Sequence, residues 1–337
     1  SIADHLGTQI ASVPDSDLDG ISDLWMSAYG SDRNGLNSGS VYFLMTATMG
    51  SDVSSATAII TGNAAGDYFG WAMWNEGTAM MASAPQASVG SAHNGAAYLF
   101  TLLVPGEQSA SQADVVFVGE QPGEQAGWSM DLADLNGDGL DDVAMGSPYH
   151  STQDYEGKVS LMYAPFGPIV PLQTADGQWR GDIDDCNLGF ALDLGDVNGD
   201  GYADVAMGAP HREQDNGAVY IAYGPADVGT TVADADLVYH PTFEHGRFGD
   251  TVSLVDINQD GALDLVVTAP DAAVEYANKG AVLVEFGPLN ADHFDHMYLG
   301  EDADVQLGSS VALSTDGLYV GAHQMDQGTG EVFLLEW

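Results

Sequence analysis

The chain has 337 residues, with six Lys plus Arg against fifty Asp plus Glu and a formal net charge of −44. That sign repels nucleic acid and anionic lipid, which excludes both as partners of the general surface. With 45% hydrophobic and 17% charged residues a large core is affordable and disorder is not expected, and no apolar run approaches the roughly 20 residues that cross a bilayer, so membrane insertion is not expected.

One pattern recurs along the chain. Unit 1 (residues 6–62) opens at Leu6-Gly7, carries an acidic loop from Asp15 and reaches GSVYFLM at Gly39. Unit 2 (69–119) keeps the apolar segments, GWAMWNEGTAMMASAP from Gly70 and GAAYLF from Gly95, without the acidic loop. Unit 3 (126–181) reads GWSMDLADLNGDGLDDVAMGSP from Gly127, then GKVSLMY from Gly157. Unit 4 (188–241) reads GFALDLGDVNGDGYADVAMGAP from Gly189, then GAVYIAY from Gly217. Unit 5 (248–300) reads GDTVSLVDINQDGALDLVVTAP from Gly249, then GAVLVEF from Gly280. Unit 6 (307–337) reads GSSVALSTDGLYVGAH from Gly308, then GEVFLLEW from Gly330, and lacks the acidic loop. Weaker strand candidates, such as ADVVFVG before Glu120 and DLVYH before Pro241, separate the units.

Each unit therefore offers about four short strands, bounded by Gly, Pro, Asn and Asp, and no convincing helix. Four antiparallel strands repeated radially make a propeller blade, and neighbouring blades must stack to bury both faces. The expectation is an all-β, single-domain β-propeller of six blades, with a seventh, degenerate blade as the alternative. The sixth unit stops at Trp337 after its third strand, so the strand completing it is expected upstream of Ser1, which reads as the start of a mature or trimmed fragment. Cys186 is the lone cysteine and reads as a small, partly buried residue.

The acidic loops share one grammar: oxygen donors at positions 1, 3, 5 and 9, with Gly at position 6. They are Asp15, Asp17, Asp19 and Asp23; Asp134, Asn136, Asp138 and Asp142; Asp196, Asn198, Asp200 and Asp204; and Asp256, Asn258, Asp260 and Asp264. Position 7 adds a backbone carbonyl, from Ile21, Leu140, Tyr202 or Ala262. Six to eight oxygens at roughly 2.3–2.6 Å is what Ca²⁺ requires, whereas Mg²⁺ keeps its waters and Zn²⁺ wants His or Cys. Position 12 is Met26, Met145, Met207 or Val267 and not the Glu of an EF-hand, so each loop should bridge two strands of a hairpin. Asp, Asn and Gly also form ordinary turns. Four loops with identical spacing at one place in the repeat exceed that reading, so four Ca²⁺ sites are expected. Four divalent ions offset only eight charges; the remaining acidity reads as adaptation to high salt.

The loops joining second and third strands should lie at the opposite end. They carry Tyr149, His150, Tyr155, His211, Arg212, Tyr276 and Lys279, a candidate partner-binding rim against the reading of ordinary exposed loops. Trp71, Trp74, Trp128 and Trp179 read as inter-blade packing more readily than as sugar-stacking platforms. His293 and His296 with Asp292 and Asp295 read as a surface turn more readily than as a further metal site.

The units resemble the FG-GAP repeats of the integrin α-subunit β-propeller and its bacterial relatives. The FG element stands as Phe69-Gly70 and Phe248-Gly249, altered at Leu6-Gly7, Ala126-Gly127, Leu188-Gly189 and Leu307-Gly308; the GAP element stands as Gly208-Ala209-Pro210, with Gly146-Ser147-Pro148, Thr268-Ala269-Pro270 and Ser83-Ala84-Pro85 as variants. The resemblance implies a calcium-stabilised propeller displayed outside the cell, secreted or on the surface, for adhesion or protein binding. A lectin-type, polysaccharide-binding propeller is the alternative, and a hydrolase the less favoured one. No G-x-S-x-G, H-E-x-x-H or phosphate-cradling motif is present, so no enzyme is expected.

If the loops gather their charges only around cations, binding is folding energy. EDTA should lower the melting temperature by about ten degrees or more. Raising NaCl to molar levels at saturating Ca²⁺ should raise it. A calorimetric melt unmoved by EDTA contradicts the metal reading.

Overall fold

The computed structural model of the chain describes residues 4–16, 18–45, 53–76, 79–102, 104–151, 154–225, 230–241, 243–274, 277–291, 293–301, 305–314, 317–322 and 330–335. The fold is all-β, in six propeller blades of mostly four-stranded antiparallel sheets. Two compact units divide it, residues 1–130 with 165–175, and residues 131–164 with 176–337.

In the first unit, blade 1 joins Leu6–Val13, Asp23–Ala28, Ser40–Leu44 and Ala58–Thr61; blade 2 joins Met73–Glu76, Ala79–Ala84, Ala96–Phe100 and Val115–Val118. In the second, blade 3 joins Met130–Ala133, Asp142–Ser147, Lys158–Met162 and Gly177–Arg180. Blade 4 joins Ala191–Gly195, Asp204–Ala209, Ala218–Ala222 and Leu237–Tyr239, and blade 5 joins Val252–Val255, Asp264–Ala269, Ala281–Glu285 and His296–Leu299. Blade 6 shows three strands among the described residues, Leu307–Ser314, Gly317–Ala322 and Glu331–Leu335. A short fifth strand, not foreseen from the repeat, adds in parallel to the fourth strand of three blades: Gly106–Ser109, Ile169–Pro171 and Thr230–Thr231. The described helix is confined to 3-10 turns and one turn at Arg212–Asp215, which positive φ at Glu213 and Gln214 interrupts.

The middle strands read as unbroken apolar runs because both of their faces are covered. Every residue of Asp204–Ala209 and Ala218–Ala222 is buried. Met207 and Tyr220 pack with Val159 and Trp179 of blade 3, whereas Ala206, Val219 and Ile221 pack with Leu265 and Val267 of blade 5. Alternate residues of one strand thus serve two successive cores. Fully burying a large apolar side chain contributes roughly 1.5–3 kcal/mol, so the alternation fixes strand register strongly.

The FG and GAP elements form the seam between repeats. In blades 1 to 5 the glycine that opens the third strand makes a parallel bridge to the FG element of the following unit: Gly39 to Phe69, Gly95 to Ala126, Gly157 to Leu188, Gly217 to Phe248 and Gly280 to Leu307. The amide of the FG residue donates across it, as from Phe248 to the Asn216 carbonyl at 3.1 Å. The following glycine then donates to the GAP strand of its own blade, Gly189 to Gly208 O at 3.0 Å and Gly249 to Thr268 O at 3.0 Å. Gly217 sits at φ +86°, and a Cβ there would overlap the Phe248 carbonyl. Gly90 has a similar φ of +85° but open space around it. Gly90→Ala should therefore cost about 1–2 kcal/mol, for the left-handed backbone alone. Gly217→Ala should cost at least twice as much, because it adds backbone overlap. Urea unfolding of both variants checks this, and equal losses contradict the seam.

Candidate metal centre

All four acidic loops sit where the sequence puts them, between first and second strands, and the position-9 aspartate is the first residue of the second strand. Asp17 lies outside the described residues. The loops fold alike because the described side chains at the donor positions capture amides of their own loop. Asp134 Oδ1 accepts from Gly137 N at 2.7 Å and Asp138 N at 3.2 Å, and Oδ2 from Gly139 N at 2.9 Å. Asp196 repeats this with Gly199, Asp200 and Gly201 at 2.7, 3.1 and 2.9 Å. Asp256 accepts from Asp260 and Gly261, and Asp15 from Asp19 and Gly20. Asn136, Asn198 and Asn258 each accept from the amide two residues on, at 2.8–2.9 Å. Asp19, Asp138, Asp200 and Asp260 accept from the amides of Ile21, Leu140, Tyr202 and Ala262. Nothing lies within 4 Å of a Cβ built at Gly20, Gly139, Gly201 or Gly261, so their φ of +84° to +93° alone explains the glycine.

The closing aspartate ties the loop to the sheet. Asp142 Oδ2 accepts from Leu135 N at 3.0 Å and Oδ1 from Ala164 N at 2.8 Å, beyond the end of the third strand. Asp204 bridges Val197 N and Gly224 N, and Asp264 bridges Ile257 N and Gly287 N, at 2.7–2.9 Å. In blade 1, Asp23 accepts from the Ser16 amide at 2.9 Å. Asp142, Asp204 and Asp264 are buried, and among the described residues none makes an ion pair. Burial pushes Asp204 up to about 6 and raises Asp142 and Asp264 as well. An enclosed carboxylate without a counter-charge is costly, and two amides use only part of its acceptor capacity. The donor set is all oxygen, from carboxylates, amides and carbonyls, with no nitrogen or sulfur. It therefore fits a hard divalent ion, Ca²⁺ above all.

A second acidic feature was legible as Asp131 and Asp193, three residues before two of the loops, but the sequence reading passed over it. Asp131 Oδ2 accepts from Leu194 N at 3.0 Å and Asp193 Oδ2 from Leu254 N at 2.7 Å, so each caps the first strand of the following blade. The two carboxyls also hydrogen-bond to each other, and Ser253 hydrogen-bonds to Asp193. Burial first, and then the charge of Asp193, push Asp131 up to about 8. Burial raises Asp193 too.

At the opposite end of blades 3 and 4, the structure gathers three of the rim residues. Tyr149, Tyr155 and His211 line a cavity of about 560 Å³ together with the carboxylates of Asp184, Asp185, Glu213 and Asp215. The tyrosine rings meet edge-on at 5.9 Å, and His211 Nδ1 lies 2.6 Å from Asp215 Oδ1. Arg212 is not free on this rim: its guanidinium bonds Asp182 at 3.1 and 3.3 Å and also Glu213, and the side chain is 12% exposed. His150 is buried at 2% exposure, Lys279 is half-buried, and Tyr276 lies outside the described residues. Asp184 also lies with Asp154 and Glu156 in a cluster of carboxylates within 4.8 Å of one another. Its residues are scattered over two loops, so no spacing in the sequence announces it.

Trp71, Trp128 and Trp179 serve packing. Trp71 and Trp128 meet at 4.6 Å, Tyr29 packs on Trp71 at 5.0 Å, and Trp179 is buried in the core of blades 3 and 4. Cys186 is buried, its thiol donating to the Glu156 carbonyl at 2.9 Å, and burial pushes it up to about 11. His293 lies 3.7 Å from Asp295 and is 71% exposed; Asp292 lies outside the described residues.

Sheets and loops together define a β-propeller of FG-GAP repeats. The FG-GAP repeat is matched over residues 126–162, 188–221 and 248–284, the units with the three Asp-x-Asn-x-Asp-Gly loops among their number. The chain is 30% identical over 199 residues to integrin alpha-4 of Xenopus laevis, covering 57% of this chain and 18% of that protein. It is 31% identical over 207 residues to integrin alpha-D of Homo sapiens, covering 59% and 17%. It is also 30% identical over 209 residues to the phosphatidylinositol-glycan-specific phospholipase D of Bos taurus, covering 56% and 25%. The propeller is thus of the integrin-α type, and the matches span a quarter or less of each of these relatives.

The Asp131–Asp193 pair has a pH signature. The folded pair holds a proton that the unfolded chain releases near the ordinary carboxylate value. Its stabilisation is therefore complete at low pH and is lost as pH rises through about 8. At saturating CaCl₂ the melting temperature should fall between pH 7 and pH 8.5, and Asp131→Asn should flatten that fall. A wild-type melt that rises across this window contradicts the shared proton.

Proposed function

We propose that this chain is a calcium-braced propeller that works outside the cell as an adhesion or protein-binding scaffold. The loops of Asp15, Asp134, Asp196 and Asp256 hold the cations and stiffen one end of their blades. The loops at the other end are then free to meet a partner. This reading gives the chain no catalytic step, and the shared part amounts to a quarter of the phospholipase's length.

The observation that carries the binding role is the cavity of blades 3 and 4. Two tyrosines and four carboxylates line it, and the nearby Arg212 is already consumed by Asp182 and Glu213. That chemistry suits a basic side chain of a protein partner. A cation over an aromatic face gains roughly 0.5–2 kcal/mol, and carboxylates around it add directed bonds. A neutral sugar could use the tyrosines but would leave Asp184 and Asp185, which make no ion pair among the described residues, without a counter-charge.

The test uses the folded chain in CaCl₂ and 150 mM NaCl, with an octa-arginine peptide and a glycan array as probes. Asp184→Asn/Asp185→Asn and, separately, Tyr155→Ala should each weaken peptide binding about tenfold while the melt stays put. The Tyr155 change is neutral in charge, so it separates pocket binding from general attraction to an acidic surface. Peptide binding indifferent to both variants contradicts the pocket. Glycan binding lost in Tyr155→Ala would favour the lectin reading instead.

A further inference from the structure

Two of the acidic loops touch, and the contact joins backbone that belongs to a donor residue of one loop to the peptide that carries a donor carbonyl of the other. Ala203, the eighth residue of the blade 4 loop, donates its amide to the main-chain carbonyl of Asp134 at 3.1 Å. Asp134 is the first donor residue of the blade 3 loop. The Ala203 N–H shares one planar peptide unit with the Tyr202 carbonyl, the position-7 donor of the blade 4 loop. Turning that carbonyl therefore turns the N–H that holds Asp134.

Two further contacts stiffen the joint. The Tyr202 ring lies over Gly137, where any Cβ would collide with it. Gly137 N in turn donates to Asp134 Oδ1 at 2.7 Å. Leu135 and Ala203 pack in one apolar cluster, and Leu135 N donates to the closing Asp142. Between the loops of blades 4 and 5 the contact is different in kind. Leu263 lies against Gly195, and among the described residues no hydrogen bond joins Leu263 N to the Asp196 carbonyl.

We infer that the loops of blades 3 and 4 take up cations cooperatively, through the Tyr202–Ala203 peptide, while the blade 5 loop fills on its own. The inference rests on the calcium reading of the loops. With the Tyr202 carbonyl committed to a cation, the peptide plane is fixed and its N–H holds the Asp134 backbone where the blade 3 loop needs it. The ordering cost of the second loop is then already met. Coupling between two sites is reciprocal, so filling the blade 3 loop must favour the blade 4 loop by the same factor.

Gly139 N and Gly201 N each donate to the first aspartate of their own loop, at 2.9 Å, so their amide resonances report the two loops separately. The full chain, labelled with ¹⁵N-glycine and freed of metal by chelation, is titrated with CaCl₂. The Gly139 and Gly201 curves should be steeper than single-site binding. Asp196→Asn should move the Gly139 midpoint to higher calcium by fivefold or more, and Asp134→Asn should move the Gly201 midpoint by the same factor. Asp256→Asn should leave Gly139 within twofold. Tyr202→Ala keeps every oxygen donor and should bring the two curves closer to single-site form.

Hyperbolic wild-type curves overturn the coupling, and that measurement needs no variant to fold. Midpoints unmoved in folded Asp196→Asn and Asp134→Asn overturn it too, with calcium binding itself left standing. If neither glycine responds to calcium in the wild-type chain, the calcium reading falls and takes the coupling with it.

Discussion

A buried carboxylate at the start of each loop-bearing second strand sets the terms for the rest of these blades. Asp142, Asp204 and Asp264 are enclosed, lack an ion-pair partner among the described residues, and each bridge an amide of their own loop to an amide past the third strand. One residue thereby fixes three things: where the loop ends, where the hairpin begins, and how the third strand leaves the sheet. The cost is a desolvated negative charge, which two amides offset only in part. On the calcium reading proposed above, a divalent cation at the same place would convert that cost into binding energy that only the folded chain collects.

The seams spread that local order along the repeat. At each seam a glycine opening a third strand faces the FG element of the following unit, and the GAP strand receives the next amide. The glycine that opens the third strand is needed because backbone meets backbone there, with no room for a Cβ. Each middle strand then contributes alternate residues to two cores, so a change on one face is felt on both sides. The Asp131 and Asp193 carboxyls reinforce the same seams from the first strands, by capping amides of the following blade.

Two ends of one hairpin repeat carry different chemistry. At one end the carboxylates are ordered by their own loop amides and held in fixed geometry. At the other, between blades 3 and 4, the carboxylates surround an open cavity beside two tyrosines. The same acidic composition thus supplies both loops of ordered oxygen donors and an open acidic cavity, the two features on which the proposed cation and partner roles rest. What distinguishes them is whether neighbouring backbone amides consume the lone pairs.

The sequence by itself determined the repeat, the six-blade all-β class and the position of every acidic loop, because these depend on local rules. Gly at position 6 needs positive φ, donors at alternate positions capture nearby amides, and apolar runs between Gly and Pro make strands. Tertiary structure alone decided what depends on residues far apart in the chain. Arg212 looked like a free cation until Asp182, thirty residues away, was seen to hold it. His150 looked like a rim residue and is buried. Asp184 and Asp185 drew no attention in a connecting segment, yet they stand beside Tyr149 and Tyr155. The parallel fifth strands and the Ala203–Asp134 bond likewise join different repeats. Periodicity within one repeat cannot encode them, because the geometry that brings two repeats together is set by packing and not by spacing.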